Sequence, residues 1–163
     1  MPTKGRDTLN RAISSVAPQL EHGDELLVLR RDNVAYGNAT RDEAIPRCIG
    51  SHLWWVDDDD VAEPDALATI RKHVSESPEL IHVFRMQYPI HGDVLWREEG
   101  DWQCGRIGSP MCVIPNVPGK LGSWVHPGVS CGDWNFFDQT LKLQGGPLVW
   151  HEEIIYQIKP AWL

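Results

Sequence analysis

The feature that most constrains the fold is a short tryptophan-rich segment that runs directly into four aspartates. Residues 52–56 (HLWWV) have the length and the side chains of a buried strand, and Asp57, Asp58, Asp59 and Asp60 follow without a gap. Pro64 comes shortly afterwards, at a place where the first turn of a helix tolerates proline. The pattern therefore predicts a strand, then an acidic turn, then a helix that ends near Glu76.

The rest of the first half also alternates between helical and strand patterns. We predict a helix over residues 7–20, a strand over 25–29 and a weaker helix over 38–48, which Pro46 disturbs. Such alternation is typical of an α/β fold with parallel strands.

The second half has a different character. We predict strands over residues 80–88, 94–96, 111–114 and 148–158 and a helix over 133–143, with many Gly and Pro residues between Gly92 and Gly132. The chain has 163 residues, which suits one domain. The expected fold is therefore a single α/β domain over residues 1–163, with a mixed, mostly parallel sheet.

Charge and cysteine usage exclude several classes of protein. The net charge of -8 argues against charge-driven binding to nucleic acid or to an anionic membrane, since both need a basic face. No apolar run is long enough to span a membrane, and the polar start predicts no signal peptide. The four cysteines form no C-x-x-C pair, so we expect free thiols in a cytoplasmic protein rather than a zinc site.

The acidic run (Asp57, Asp58, Asp59 and Asp60) has a chemical consequence. Neighbouring carboxylates repel and raise one another's pKa unless a cation neutralises them. In open α/β sheets ligands bind beyond the carboxyl ends of strands, and Mg²⁺ or Mn²⁺ takes carboxylate and phosphate oxygens there. The run therefore predicts a metal-diphosphate site. The alternative is a solvated acidic turn that caps the following helix.

Four segments together resemble the family 2 glycosyltransferases, which have the GT-A fold. They are residues 2–6 (PTKGR), 37–45 (GNATRDEAI), 55–60 (WVDDDD) with the helix after it, and 132–134 (GDW). Asp42 stands where the family often has asparagine. The resemblance implies a nucleotide-binding half over residues 1–76 and an acceptor half over residues 77–163. It also implies a nucleoside-diphosphate sugar as donor and an acceptor hydroxyl on a glycan, protein, lipid or modified base.

The resemblance also implies roles for individual residues. Those expected to bind the nucleotide-sugar are Pro2, Thr3, Arg6, Asp32, Arg41, Asp57, Asp58 and Met111. Asp32 would accept the imino proton of a uracil, which favours a UDP-sugar. Asp59, with Asp57, would hold Mn²⁺ or Mg²⁺. His151 is a further candidate metal ligand, the alternative being an ordinary strand histidine.

Asp133 is the expected catalytic base in an inverting transfer. It would take the proton of the acceptor hydroxyl, and the alternative is that it only caps the predicted helix. The chain lacks the Q-x-x-R-W motif of processive synthases, so we expect a single, non-processive transfer.

One departure from the family concerns the start of the sheet. The family has a central strand just before its Pro-Thr loop, whereas this sequence begins with Met1-Pro2-Thr3. We expect residues 148–158 or a second subunit of a homo-oligomer to pack into or beside that position, because unpaired buried backbone groups are costly. Two other functions remain open, namely a nucleotidyltransferase and a non-catalytic sugar- or nucleotide-binding module.

Overall fold

The computed structural model describes residues 1–30, 37–126 and 131–160. Its strands build a six-stranded mixed sheet and a separate two-stranded sheet. The strands are β1 (Pro2–Thr3), β2 (Leu29–Arg30), β3 (His52–Trp54), β4 (Val61–Ala62), β5 (Ile81–Tyr88), β6 (Asp93–Leu95), β7 (Cys112–Pro115) and β8 (Leu148–Gln157). The helices are α1 (Leu9–Val16), α2 (Asn38–Ala44), α3 (Ala66–Glu76) and α4 (Gly132–Gln144). The mixed α/β class predicted from the sequence is confirmed.

The order of the main sheet is β3-β7-β5-β8-β4, with β6 also paired to β5. Only β5 and β8 run parallel in this sheet, and the short β1–β2 pair is parallel as well. The expectation of mostly parallel strands is therefore wrong for the pairs described, since the other four are antiparallel. The reason lies in the connections, because no α-helix separates β5, β6 and β7, and only a crossover returns a strand in the parallel direction.

The predicted helices and strands are largely present. The helix after the acidic run ends at Glu76 as predicted, and α2 gives way to a 3₁₀ turn at Ile45–Arg47, where Pro46 ends regular α-helix. The predicted strand over 25–29 is wrong for most of its length, since only Leu29 belongs to β2. The longest described helix has 13 residues, and none in the described ranges is long and apolar enough to cross a membrane.

An aromatic cluster fixes α4 against the chain that leaves β3. Phe136 of α4 is fully buried and stacks on Trp124 with ring centroids 4.4 Å apart. Trp55 meets Phe136 at 5.0 Å and Phe137 at 5.7 Å, both edge to face. This packing brings the first turn of α4 close to the acidic run, because Trp55 lies two residues before Asp57.

β8 occupies an interior position of the main sheet. It pairs with β5 and β4, and among the described residues no strand pairs with β3 on the side away from β7. A largely apolar cavity of about 290 Å³ lies there instead, between β3 and the chain leading into β2. Residues 148–158 therefore do not fill the position beside β3.

Two of the cysteines are bonded to each other. Cys104 and Cys131 form a disulfide with their Cα atoms 5.6 Å apart, while Cys48 and Cys112 are free. The expectation of four free thiols is wrong for this pair. The two residues are 27 apart in sequence, and only the packing of a loop against the start of α4 brings them together.

Candidate functional site

A cleft of about 830 Å³ opens where the chain leaves β3. It lies between the loop after β1, the start of α2, the acidic run, the 3₁₀ turn before β7 and the start of α4. The side chains and backbone that line it include Pro2, Thr3, Lys4, Arg6, Asn38, Arg41, Asp57, Asp58, Asp59, Asp60, Tyr88, Ser109, Asp133 and Lys159. Residues from every part of the described chain thus meet at one opening.

Asp57 is held by a buried arginine. The guanidinium Nη2 of Arg41, a residue only 4% exposed, contacts Asp57 Oδ1, and Ser109 Oγ donates to Asp57 Oδ2 at 3.0 Å. The backbone N–H of Asp57 donates to the hydroxyl of Tyr156 at 2.8 Å. Both carboxylate oxygens therefore have a fixed partner, and the position of Asp57 is set by three different elements.

Arg41 has further contacts that fix its orientation. Its Nη1 donates to Asn38 Oδ1 at 3.1 Å, one turn earlier in α2, and its guanidinium carbon lies 4.7 Å from the ring centre of Trp124. A planar guanidinium can serve partners in several directions and stack on an aromatic face at the same time. Arg41 thus connects the acidic run to the aromatic cluster beneath it.

Asp58 and Asp59 face the loop after β1. Thr3 Oγ1 donates to Asp58 Oδ2 at 2.6 Å, and Arg6 Nη1 lies 3.4 Å from Asp58 Oδ1. The same Arg6 nitrogen contacts Asp59 Oδ2. Thr8 Oγ1 donates to the Asp58 carbonyl at 2.7 Å, which ties the start of α1 to the run. The Pro-Thr loop and the acidic run are therefore one structural unit.

Asp60 is the most enclosed carboxyl of the run, with 4% of its surface exposed. One oxygen accepts the backbone N–H of Lys159 at 2.8 Å. The pKa of Asp60 is raised to about 7, chiefly by loss of solvation and with smaller contributions from the charges of Asp57 and Asp59, while the Lys159 hydrogen bond opposes the shift. The shift thus reflects mainly the burial of this carboxyl.

Asp133 lies in the first turn of α4 and lines the same cleft as the acidic run. Burial raises the pKa of its carboxyl, the positive charge of Arg41 lowers it, and the charge of Asp57 raises it again. The Ser109 backbone N–H also donates to this carboxylate. A Cβ on the preceding Gly132 would lie 2.6 Å from Asn38 Nδ2, so a larger residue there would have to displace the Asn38 side chain that holds Arg41.

The structure brings together most of the residues that the sequence analysis selected. Those that line the cleft are Pro2, Thr3, Arg6, Arg41, Asp57, Asp58, Asp59 and Asp133. Met111 is fully buried and lies outside the lining, where its neighbours Ser109 and Pro110 take its place. Asp32 lies outside the described residues. His151 does not line the cleft and instead contacts His82 in the interior.

Several residues of the site carry no local sequence signal, and three of them contact or adjoin the acidic run. Tyr156 and Lys159 come from β8 and the chain after it, and Tyr88 comes from the end of β5. Nothing local marks them, because an aromatic or a lysine near a strand end is common. Their role depends on the parallel pairing of β5 with β8, which places both strand ends beside the acidic run.

The fold is similar to that of a known enzyme. The chain matches the crystal structure of residues 1–349 of TarS from S. aureus, a glycosyltransferase, with a TM-score of 0.62 and 14% sequence identity. The match covers 93% of this chain and 47% of TarS 1–349, so the chain spans about half of that structure. No protein-family model matches the sequence, and no curated protein matches it. At this identity the similarity establishes the fold.

Proposed function

We propose that the chain carries the catalytic cleft of a glycosyltransferase that moves a sugar from a nucleoside-diphosphate donor to an acceptor hydroxyl. The observation that supports this most is that an acidic run and a separate carboxylate, Asp133, line the same cleft. Residues 1–76 would form the nucleotide-binding half and residues 77–163 the acceptor half. UDP is the expected nucleotide, because the resemblance to the family 2 glycosyltransferases implies that Asp32 accepts the imino proton of a uracil.

The residues present fit a divalent cation that arrives with a diphosphate. Within the described residues the acidic run does not offer three ligand atoms within 4.8 Å of one another, so it is no closed metal cage. Mg²⁺ and Mn²⁺ need only one or two carboxylates when phosphates supply other ligands. Asp59 is the candidate ligand, because its side chain keeps 28% exposure. When bound, such a cation stabilises the charge that develops on the departing diphosphate.

Arg6 is the basic group placed to respond to a donor. Its side chain is 46% exposed and pairs with Asp58 and Asp59 at the mouth of the cleft. We expect it to turn from Asp59 to the diphosphate when a donor binds, since a guanidinium matches phosphate oxygens as well as carboxylate oxygens. Arg41 is buried and already engaged with Asp57, so we expect it to stay in place and to orient Asp57.

Asp133 would act as the general base. The acceptor oxygen attacks the anomeric carbon, the bond to the diphosphate oxygen breaks, and Asp133 takes the hydroxyl proton. The result is an inverted anomeric centre. A raised pKa makes this carboxylate a better proton acceptor, and such assistance contributes about 10²–10⁴ in rate. The Ser109 N–H and the start of α4 hold the carboxylate on one side of the cleft.

The test compares Asp133→Asn with Asp59→Asn, with Asp7→Asn as an exposed control. UDP binding is measured by calorimetry with Mn²⁺ and with excess chelator, and donor hydrolysis is measured over UDP-, GDP- and dTDP-sugars. We expect Asp59→Asn to lose binding and turnover, and Asp133→Asn to lose turnover by about 10²–10⁴ with unchanged affinity.

Three results would contradict the proposal in different ways. Normal turnover in Asp133→Asn would remove this residue from the mechanism. Release of pyrophosphate from a nucleoside triphosphate would indicate a nucleotidyltransferase instead. Nucleotide binding with no turnover on any donor or acceptor would indicate a binding module.

A further inference from the structure

A second group of potential metal ligands lies away from the cleft, where α3 packs on β8. One ligand atom each from His73, His151 and Glu153 lies within 4.8 Å of the others. His73 comes from α3 and the other two from β8. None of the three lines the acidic cleft, so the group is separate from the proposed catalytic site.

The hydrogen bonds around His151 fix which ring nitrogen can bind a metal. His82 Nε2 lies 3.0 Å from the Ser77 carbonyl, which only accepts, so this nitrogen carries the proton. In the neutral ring His82 Nδ1 is then an acceptor, and it lies 2.9 Å from His151 Nε2, which must donate. Nδ1 of His151 then carries no proton, and its lone pair is the one that can bind a metal. Metal-binding histidines are held in the same way, by a partner for the other nitrogen.

His151 and His82 are both enclosed by the protein, with 8% and 0% of their surfaces exposed. The ring of His151 is fixed from below by Phe84, whose centroid lies 4.5 Å away. The hydrogen bond to His82 and the packing against Phe84 thus hold the His151 ring in one orientation, as in known metal-binding histidines.

The remaining two ligands are already close together. His73 Nε2 lies 2.9 Å from Glu153 Oε1, and the His73 ring centroid is 4.0 Å from that of His151. In a tetrahedral zinc site with bonds of about 2.0–2.1 Å, ligand atoms lie about 3.3 Å apart. The hydrogen bond between His73 and Glu153 thus holds them near the spacing that zinc requires, and all three ligand atoms lie within 4.8 Å of one another before any ion binds.

The backbone of β8 is irregular at this point. Val83 pairs with Trp150 and Arg85 pairs with Ile154, so three residues of β8 lie opposite the single residue Phe84 of β5. A regular strand would point His151 and Glu153 to the same face at a fixed spacing, whereas a bulge redirects side chains. The irregular stretch of β8 therefore includes both His151 and Glu153.

We propose that His73, His151 and Glu153 form a zinc site that joins α3 to β8. Two imidazoles and a carboxylate suit zinc better than the hard cations expected at the acidic run. Glu153 keeps 46% side-chain exposure, which leaves a route for the ion and room for water as a fourth ligand. The ion would link α3, the helix that follows the acidic run, to β8.

Glu153→Gln and His73→Gln test the site, with Glu152→Gln as the matched control. Glu152 is the preceding residue, its side chain is 83% exposed, and its one described ion pair is a 3.8 Å contact with Arg85. Tag-free protein is titrated with Co²⁺, read by visible absorption, and with Zn²⁺ against a chromophoric chelator. Melting temperature is recorded with and without Zn²⁺.

We expect tetrahedral Co²⁺ bands and a zinc-dependent rise in melting temperature for the wild type and for Glu152→Gln. Glu153→Gln and His73→Gln should bind zinc at least about tenfold more weakly, with metal-free melting close to that of the wild type. Equal zinc affinity in Glu153→Gln and Glu152→Gln would overturn the proposal. So would loss of zinc binding in Asp59→Asn, because the ion would then lie in the acidic cleft.

Discussion

Removal of the Asp60 charge should stabilise the protein at neutral and alkaline pH. The side chain is 4% exposed, and its pKa rises from 3.8 to about 7 in the folded protein. A carboxyl whose folded pKa is raised binds its proton more tightly when folded. Its contribution to stability is therefore complete below the unfolded pKa and is lost as the pH rises through the folded pKa.

The magnitude follows from the size of the shift. The pKa difference between about 7 and 3.8 is roughly 3 units, and each unit corresponds to about 1.36 kcal/mol. The unfolding free energy of Asp60→Asn relative to the wild type should therefore rise by about 4 kcal/mol as the pH increases from 4 to 8. The amide oxygen can still accept the Lys159 N–H, so the variant keeps the hydrogen bond and loses the charge.

The assay is urea denaturation followed by tryptophan fluorescence at several pH values from 4 to 8. The quantity of interest is the difference in unfolding free energy between Asp60→Asn and wild type at each pH, since carboxyl groups that do not interact with Asp60 cancel in this difference. Asp7→Asn, an exposed change, should show a difference near zero throughout. A constant difference, or a variant that is less stable than wild type at pH 8, would refute the reasoning.

Two further substitutions test the packing beneath the cleft. Phe136→Ala should lower the unfolding free energy by about 3–5 kcal/mol in urea denaturation, because it removes a fully buried ring that stacks on Trp124. A loss below about 1 kcal/mol would contradict this packing. Arg41→Lys should lower the unfolding free energy by about 1.5–3 kcal/mol and weaken UDP binding in calorimetry. The reason is that an ammonium cannot reach Asp57 and Asn38 while it stacks on the Trp124 indole. Unchanged stability and affinity would count against this role of Arg41.

Local sequence patterns predicted the elements whose residues carry their own signal. The strand at 52–56, the acidic run and α3 follow from apolar periodicity and from Pro64, and the structure agrees with them to within a few residues. The same holds for α4, where Gly132 and the aromatic residues mark a helix start. The predicted strand over 25–29 is wrong for most of its length, because a short apolar segment forms a strand only where a neighbouring strand pairs with it.

The grouping of site residues was also partly accessible from sequence. Thr3, Arg41, Asp57 and Asp133 were selected in separate segments, and the structure places all four at one cleft. The resemblance to a family supplied that grouping, since no local rule links residues so far apart in the chain. Their chemical roles stay predictions until the variants are measured.

What the sequence by itself determined is the set of local elements and the chemistry placed at their ends, because periodicity, caps and charge depend on near neighbours. The tertiary structure decided the rest. The pairing of β5 with β8 brings Tyr156 and Lys159 to the acidic run, and the raised pKa of Asp60 arises only once that packing removes water. It also gathers His73 and His151 from a helix and a strand. Such contacts depend on strand order and burial, which the whole chain sets together.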